Sequence, residues 1–244
     1  SRFIMQQTTF DSYNKILVVI PAYNEEKDIG SVIANIRQVL PIANVLVIND
    51  GSKDNTATNA KVSGATVVSH FQNMGYGIAL QTGYKYAQMN GYEYILQIDA
   101  DGQHTPNFLK DILSKLISSN IDIVIGSRFL HRESYKPPVI RRIGIVIFSF
   151  LASMMIRQKI TDPTSGFRGY KRSVLNFLVS DYFPVDYPDA DVIVMCHRYG
   201  HKIKEIPVIM NANTNNKSMH SGIKPLYYIF KITFSLFLTL LRKF

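Results

Sequence analysis

Short apolar runs alternate with longer amphipathic segments through the first half of the chain. Short runs rich in Val and Ile are typical of buried strands, and apolar residues that recur every three or four positions are typical of helices. The apolar runs predict strands over residues 16–20, 45–48, 65–69, 94–98 and 121–125. The amphipathic segments predict helices over residues 26–40, 55–62 and 78–89, and a further helix from Pro106 onward.

This alternation predicts an α/β fold, with a mostly parallel, Rossmann-like sheet flanked by helices. Ligands of such sheets bind at the carboxyl ends of the strands. The loops at those ends hold most of the acidic and glycine residues of the first half, in the segments PAYNEE, NDGSKDN, FQNMGYG, DADGQH and GSRF. We therefore expect one functional site assembled from several loops.

The second half of the chain is less regular. It is predicted to contain an apolar helix, a loop leading to a short strand or turn, a second helix and a strand, over residues 139–156, 161–170, 188–198 and 202–209. A polar stretch over residues 211–222 then precedes an aromatic-rich apolar segment over residues 223–244. We expect a main domain over residues 15–210, followed over residues 211–244 by a polar lid loop and a C-terminal amphipathic helix.

Neither long apolar segment is predicted to cross a membrane. Residues 139–156 contain Arg141 and Arg142, and residues 226–241 contain Lys231. Both segments fall short of the roughly 20 clean apolar residues that a span needs. Apolar bulk mixed with Lys and Arg fits amphipathic helices at a membrane interface, although both segments could instead pack on the domain.

Charge divides the chain into two unlike halves. The chain carries a net charge of +9, with 9 Lys and Arg against 11 Asp and Glu in residues 1–127, and 18 against 7 in residues 128–244. The basic half predicts an anionic partner, which could be nucleic acid, a phosphate-bearing ligand or a membrane surface. The single cysteine, Cys196, and the lack of an apolar leader segment predict a cytoplasmic location without an export signal.

The segment Asp99-Ala100-Asp101 directly follows a predicted strand. Two carboxylates at a strand end can bind Mg²⁺ or Mn²⁺, which keep several waters and take diphosphate oxygens as further ligands. Gln103 can add an oxygen, and His104 could add a nitrogen. A solvated acidic turn is the alternative interpretation of so short a motif.

Other strand-end residues are candidates for binding a nucleotide or phosphate. Asp50 could accept hydrogen bonds from a base or ribose, although turn and capping chemistry would also explain an Asp in NDGSKDN. Arg128 suits phosphate recognition, and Arg168 is a similar candidate or a structural ion-pair partner. Asp162 lies in a Thr- and Ser-rich loop, where helix capping is the alternative.

Taken in order, these motifs resemble one known family. PAYNEE, NDGSKDNT, NMGYGIALQTGYKYA, DADGQH, GSRF and DPTSGFRGY are similar to motifs of family 2 glycosyltransferases, over roughly residues 15–235. More closely, they resemble the polyprenyl-phosphate glycosyltransferases related to dolichol-phosphate mannose synthase. The resemblance implies a GT-A fold, an inverting enzyme, a nucleotide-diphosphate sugar donor and a divalent cation. It also implies a polyprenyl phosphate acceptor of the undecaprenyl type at the membrane surface.

The resemblance also implies roles for individual residues. Asp101 and Gln103 would hold the metal, Arg128 would orient the acceptor phosphate, Asp162 would lie by the reacting sugar, and Arg168 would support the phosphates. Contacts with the nucleotide sugar would come from residues of four strand-end loops: Pro21, Ala22, Tyr23, Glu25, Asp50, Gly75, Asp99 and Ala100.

The chain departs from many of these relatives in two ways. In many relatives an R-x-x-G-x-S/K segment follows the last strand. The aligned segment here is residues 213–218, in which Asn213 and Asn216 stand at the Arg and Gly positions. Lys217 is the candidate to replace the missing positive charge. The transmembrane helices that some relatives carry at the C-terminal side are not found in this sequence. We therefore expect peripheral attachment to the inner face of the cell membrane, or a separate membrane-protein partner.

Other functions fit the sequence less well. A family 2 transferase that extends a cell-envelope glycan would need a carboxylate such as Asp162 as a base for the acceptor hydroxyl. A nucleotidyltransferase would need a glycine-rich phosphate loop where this chain has PAYNEE. The acidic strand-end loops and the lack of a nucleic-acid-binding motif argue against a nucleic-acid partner. The motifs resemble those of bacterial relatives, and this resemblance favours a UDP-sugar as the donor.

Overall fold

The computed structural model describes residues 15–130, 139–186, 188–210 and 234. These residues contain one seven-stranded sheet. Its strands are β1 (Ile16–Ala22), β2 (Asn44–Asn49), β3 (Thr66–Ser69), β4 (Tyr94–Gln97), β5 (Ile123–Ser127), β6 (Arg168–Lys171) and β7 (Ile203–Pro207). They lie side by side in the order β3-β2-β1-β4-β6-β5-β7, and β6 alone within this sheet runs antiparallel to its neighbours. The predicted mostly parallel α/β fold is confirmed.

Helices cover both faces of this sheet. They are α1 (Ile29–Val39), α2 (Thr56–Val62), α3 (Tyr76–Met89), α4 (Phe108–Ser118), α5 (Val139–Ile156), α6 (Leu175–Leu178) and α7 (Ala190–Arg198), with a 3-10 turn over Arg172–Val174 before α6. Side chains alternate between the two faces of a strand. In β1, Leu17 and Val19 accordingly join the core formed with α3, α5 and α7, whereas Ile16, Val18 and Ile20 join the core formed with α1 and α4.

Several predicted boundaries move by a few residues. The helix predicted from residue 26 begins at Ile29, because the carbonyl of Glu25 accepts the N–H groups of both Asp28 and Ile29 and forms a turn first. The strand predicted over residues 121–125 is Ile123–Ser127, since its ladder with β7 runs from Ile123 to Ser127. The strand predicted to end at residue 20 continues through Ala22.

Pro21 is tolerated inside β1 because of where its missing N–H would point. The Ala22 carbonyl accepts the Asp50 N–H, so Ala22 turns its polar groups toward β2. Pro21, one residue earlier, turns toward β4, whose ladder with β1 already ends at Val19. The proline therefore removes no ladder hydrogen bond.

In the second half, the structure decides between the short strand and the turn that the sequence left as alternatives. The loop predicted to lead to a short strand or turn contains β6, which inserts antiparallel between β4 and β5. The helix at Val139–Ile156 has the predicted bounds, and the next helix begins at Ala190 rather than at residue 188. The predicted lid loop and C-terminal helix over residues 211–244 lie outside the described residues, apart from Phe234.

Candidate functional site

The carboxyl ends of β1, β2 and β3 border an open cavity of about 570 Å³. Residues of three consecutive strand-end loops form its lining: Tyr23, Asn49, Gly51, Ser52, Lys53, His70, Phe71, Gln72 and Asn73. Most of these side chains carry hydrogen-bonding groups, and two are aromatic. The cavity therefore presents polar edges and flat apolar faces together.

The predicted nucleotide-binding residues of the first loop divide into two groups. Pro21 and Ala22 are buried within β1, while Tyr23 is 43% exposed and lines the cavity. The backbone N–H of Glu25 donates to Thr56 Oγ1 over 2.8 Å, which joins this loop to the start of α2. Tyr23 is thus the member of the group that presents a side chain to the cavity.

Asp50 connects the second strand-end loop to the third. Its carboxylate accepts the N–H groups of Met74 and Gly75 over 2.8 and 2.9 Å, and His70 Nδ1 lies 2.7 Å from Oδ1. Asp50 is 3% exposed. Gly75 adopts a positive φ of 99°, which suits glycine, immediately before α3. In this structure Asp50 holds the loop of residues 70–75, and its contact with a nucleotide stays a prediction.

Asp99 is held from two sides at the end of β4. Tyr76 donates its hydroxyl proton to Oδ1 over 2.9 Å, and His104 Nε2 lies 3.3 Å from Oδ2. Burial alone would raise the pKa of Asp99, but the hydrogen bond and charge of His104 and the hydrogen bond from Tyr76 outweigh it and hold the pKa below its usual value. His104, which the sequence offered as a nitrogen ligand, thus faces Asp99. Ala100 is buried.

Asp101 and Gln103 form a compact oxygen-rich pair. Asp101 Oδ1 accepts the Gln103 backbone N–H over 3.0 Å, and Oδ2 accepts the Gln103 side-chain amide over 2.6 Å. Burial, followed by repulsion from Asp99, raises the pKa of Asp101. A divalent cation would relieve that repulsion, and carboxylate and amide oxygens suit Mg²⁺ or Mn²⁺.

The remaining ligands of such an ion would come from elsewhere. Among the described residues, no group of three or more His, Cys, Asp and Glu side chains is arranged to hold a metal ion. Mg²⁺ is commonly bound by one or two carboxylates, with waters and substrate phosphates completing its shell. The residues present therefore fit a cation that arrives with a diphosphate.

Arg128 and Asp162 form a buried bidentate ion pair beyond the end of β5. Arg128 Nε donates to Oδ2 over 2.6 Å and Nη2 donates to Oδ1 over 2.7 Å, while the Arg128 backbone N–H also reaches Oδ2. Arg128 is 3% exposed and Asp162 is fully buried. The structure thus brings these two predicted residues together, and their roles toward phosphate and sugar stay predictions.

Glu205 supports this pair from β7, and the sequence did not indicate it. Its carboxylate accepts the backbone N–H groups of Thr161 and Asp162, each at 2.8 Å, and the Thr161 hydroxyl, also at 2.8 Å. Burial raises the pKa of Glu205 above its usual value. Residues two apart in a strand share a face, so Glu205 falls on the same face as the apolar Ile203 in the predicted strand. An acid at a position predicted to be buried was the signal available in the sequence.

Arg168 has a different set of partners from the phosphates predicted for it. Its guanidinium donates to the backbone carbonyls of Ser165, Pro163, Pro188 and Asp189, at 2.7–3.2 Å. The residue is 2% exposed. These bonds join the loop before β6 to the start of α7, so the contacts of Arg168 in this structure are structural. Its support of phosphates stays a prediction.

Helix α5 presents an apolar face to solvent. Five large apolar residues recur at helical spacing on it and are 37–66% exposed: Ile143, Val146, Ile147, Phe150 and Met154. The opposite face, with Phe148 and Ala152, is buried in the core. Within the described ranges, none of the helices combines the length and hydropathy that crossing a membrane requires.

Lys217, the predicted replacement for the missing arginine, lies outside the described residues.

Sequence comparison places the chain among known relatives. The family described as Glycosyl transferase family 2 matches residues 17–178. A UDP-N-acetylglucosamine–dolichyl-phosphate N-acetylglucosaminyltransferase of Methanococcus voltae is 29% identical, over 79% of this chain and 84% of that protein. An undecaprenyl-phosphate mannosyltransferase of Micrococcus luteus is 28% identical, over 85% of this chain and 88% of that protein.

A solved structure shares the fold. Glucosyl-3-phosphoglycerate synthase of Mycobacterium tuberculosis, crystallised with Mn²⁺, UDP and phosphoglyceric acid, superposes with a TM-score of 0.70 at 22% identity. The likeness covers 96% of this chain and 82% of that one. It shows that the two chains have the same fold.

Proposed function

Because this chain belongs to glycosyl transferase family 2, we propose that it moves a sugar from a nucleotide-diphosphate sugar to a polyprenyl phosphate. A UDP-sugar is the favoured donor and an undecaprenyl-type phosphate the favoured acceptor. The relatives named for dolichyl-phosphate and undecaprenyl-phosphate transfer support the acceptor class. The reaction would invert the configuration at the transferred sugar's anomeric carbon.

One observation carries the proposal: the cavity, the acidic loop and the buried ion pair share one edge of the sheet. The cavity lies at the ends of β1, β2 and β3, Asp99 and Asp101 follow β4, and Arg128 follows β5. A donor that spans this edge would place its base in the cavity and its diphosphate near Asp101 and Gln103. Its sugar would then lie toward Asp99 and Asp162.

Asp101 and Gln103 would hold the Mg²⁺ or Mn²⁺. When bound, the ion supplies positive charge that neutralises the nucleoside diphosphate as it leaves. Asp99 is held by Tyr76 and His104, so its carboxylate keeps a fixed position for a hydroxyl of the donor. Pre-positioned groups of this kind lower the barrier because they need no rearrangement during the reaction.

The ion pair favours a phosphate over a hydroxyl as the acceptor. Asp162 is fully buried, and both of its oxygens already accept hydrogen bonds from Arg128. It is therefore poorly placed to remove a proton from a glycan hydroxyl. A phosphate is already anionic near neutral pH and attacks without a general base. Arg128 is buried in the same pair, so its proposed role of orienting the phosphate would require its guanidinium to turn from Asp162 toward the acceptor.

The exposed face of α5 supports a peripheral position at the membrane surface. Its apolar residues are flanked by the exposed Arg142, Arg157 and Lys159. Apolar side chains bordered by basic ones suit the boundary between acyl chains and anionic headgroups. The proposed place is the inner face of the cell membrane, and a separate membrane protein is a further proposed partner.

A transfer assay tests the proposal. The protein is incubated with Mg²⁺ or Mn²⁺, a panel of UDP-, GDP- and dTDP-sugars, and undecaprenyl phosphate in vesicles. Nucleoside diphosphate and glycolipid are measured separately. Metal-dependent glycolipid from one donor is the expected result and identifies the sugar.

The other outcomes separate the parts of the proposal. Nucleoside diphosphate without glycolipid would support the donor and overturn the lipid acceptor. Glycan extension without lipid phosphate would support the hydroxyl acceptor instead. No product from folded protein, either in vesicles or in native membranes, would contradict the proposed transfer.

A further inference from the structure

Phe71 presents a fully exposed aromatic ring at the rim of the cavity. Its relative exposure is 102%, the largest among the exposed large apolar residues of the described chain. It lies in the loop that follows β3 and is one of the cavity's lining residues. A solvated phenyl ring gains nothing from the hydrophobic effect, and its place in the lining of the cavity makes its face available to a bound group.

The loop that carries Phe71 is held in place by hydrogen bonds. Both oxygens of Asp50 accept N–H groups from this loop, at Met74 and Gly75. His70, adjacent to Phe71, is held between Asp50 and Thr82, with ring nitrogens 2.7 and 2.9 Å from their oxygens. The ring is therefore displayed by a fixed segment.

A close backbone contact adds to this restraint. A Cβ atom at Gly51 would lie 2.3 Å from the carbonyl carbon of Gln72 and 2.6 Å from the nitrogen of Asn73. Only glycine allows the end of β2 to approach the loop so closely. Gln72 and Asn73, which follow Phe71, therefore pack directly against the backbone at the end of β2.

Tyr23 and Phe71 border the cavity from two different strands. Tyr23 follows β1 and Phe71 follows β3, and β2 lies between these strands in the sheet. Strands two places apart are separated by about 9.6 Å. A planar group stacked between two rings needs them about 7–8 Å apart, since stacked atoms lie roughly 3.5–4 Å apart, and the separation of these strands leaves room for that.

We propose that Phe71 is the second wall of a nucleobase clamp whose first wall is Tyr23. This inference rests on the proposed function, because it takes the occupant to be the nucleoside diphosphate part of the donor. A nucleobase has two flat π faces and a polar edge. The two aromatic rings match its faces, and the polar lining, with Asn49, Ser52 and Gln72, matches its edge.

The clamp predicts a loss of affinity that depends on the base. Base–aromatic stacking corresponds to about a 5- to 150-fold change in affinity for each base. Phe71→Ala should therefore weaken the binding of UDP within that range. Binding of inorganic pyrophosphate, which has no base, should stay unchanged. Phe71→Tyr keeps a π face and should restore UDP affinity.

The experiment measures both ligands by calorimetry in the presence of Mg²⁺, on the intact wild-type chain and each variant. Met89→Ala is the matched control, because Met89 is also a highly exposed apolar residue, at 85%, and ends α3 at the opposite edge of the sheet. It should bind both ligands as the wild type does. Since Phe71 is fully exposed, its truncation removes no core contact.

A spectroscopic readout separates stacking from a general effect on the loop. In the wild-type complex, the uracil H5 and H6 resonances of UDP should shift upfield through the ring currents of the two aromatic walls. Phe71→Ala should reduce that shift, and Phe71→Tyr should restore it. Met89→Ala should leave it unchanged.

The outcomes distinguish this inference from the proposed function. If the wild type binds UDP and Phe71→Ala binds it equally well, the clamp is overturned and the donor class stands. An equal loss for UDP and pyrophosphate would also overturn it, because Phe71 would then act through the phosphate site. If the wild type binds none of UDP, GDP and dTDP, the proposed function fails, and the clamp fails with it.

Discussion

The backbone N–H of Asp162 donates a hydrogen bond to Glu205 Oε1 over 2.8 Å. This bond links the loop before β6 to the strand β7, and it sets the position of the residue that pairs with Arg128. Arg128 itself follows β5, the neighbour of β7 in the sheet. The ion pair is therefore positioned by two adjacent strands through one buried carboxylate.

Replacing Glu205 should disturb the site in proportion to the hydrogen bonds lost. Glu205→Ala leaves the N–H groups of Thr161 and Asp162 without their acceptor and should lower the free energy of unfolding by about 1–3 kcal/mol. Glu205→Gln keeps one acceptor oxygen and should cost less. Urea denaturation and transfer assays of both variants check this order. An alanine variant as active and as stable as the glutamine variant would contradict the positioning role.

The same residue predicts a pH dependence of stability. Burial raises the pKa of Glu205 above 4.5, so the native state holds its proton to a higher pH than the unfolded chain does. The stabilisation that comes from this protonation is therefore complete below pH 4.5. It is lost as the pH rises through the pKa that Glu205 has in the folded state. The free energy of unfolding of the wild type, relative to Glu205→Gln, should fall across that window in urea titrations. A rising difference would contradict the prediction.

Arg128 and Asp162 should be strongly coupled. Arg128→Met leaves the Asp162 carboxylate buried without its cation and should lower the free energy of unfolding by about 3–5 kcal/mol. Adding Asp162→Asn removes the unpaired charge, so the double variant should recover part of that loss. A double-mutant cycle from denaturation midpoints measures the coupling. Strictly additive effects would show that the pair contributes no interaction energy.

The sequence predicts those parts of the site that directly follow an apolar run. Arg128 directly follows β5, and Asp99 and Asp101 lie in the loop that follows β4, so the strand pattern places them at one edge. Glu205 escapes this reasoning because it lies inside a strand and its partners are 43–44 residues away along the chain. Phe71 escapes it because a single aromatic in a polar loop does not reveal whether its ring is covered.

The antiparallel strand β6 is a further limit of the sequence pattern. It has four residues, Arg168–Lys171, and lacks the apolar run that marks β1 or β2. Its place between β4 and β5 depends on long-range pairing, such as Gly169 with Leu96 and Val124. Pairing between distant segments is decided by packing and leaves no local signature.

Asp101 should be required for transfer and dispensable for folding. Asp101→Asn removes the charge that would hold the cation, so metal-dependent transfer should be lost. The raised pKa of Asp101 shows that its charge is not stabilised by the fold, so the free energy of unfolding should fall little or not at all. Glu93→Gln, which removes a half-exposed carboxylate beside the start of β4 at the opposite edge, is the control. Wild-type activity of Asp101→Asn would rule out the metal assignment.

Two glycines at matching helix positions should respond oppositely to alanine. Gly77 is the second residue of α3, and a Cβ there would lie 2.1 Å from the Val185 carbonyl oxygen. Backbone cannot yield as a flexible side chain does, so Gly77→Ala should lower the free energy of unfolding by about 1–3 kcal/mol or more. Gly30 is the second residue of α1, and its Cβ would meet only the Ser63 hydroxyl, at 3.3 Å.

The Ser63 side chain can rotate away from that Cβ, so Gly30→Ala should gain helix propensity and raise the free energy of unfolding by up to about 0.5 kcal/mol at this first-turn position. Thermal and urea denaturation of the two variants give the comparison directly. The sign difference matters for the site, because Val185 packs on the end of α3 that carries Tyr76, the donor to Asp99. If Gly77→Ala displaces that end of the helix, it should lower transfer activity as well, whereas Gly30→Ala should not. Equal stabilities of the two variants would show that the approach of Val185 to α3 is looser than the structure has it.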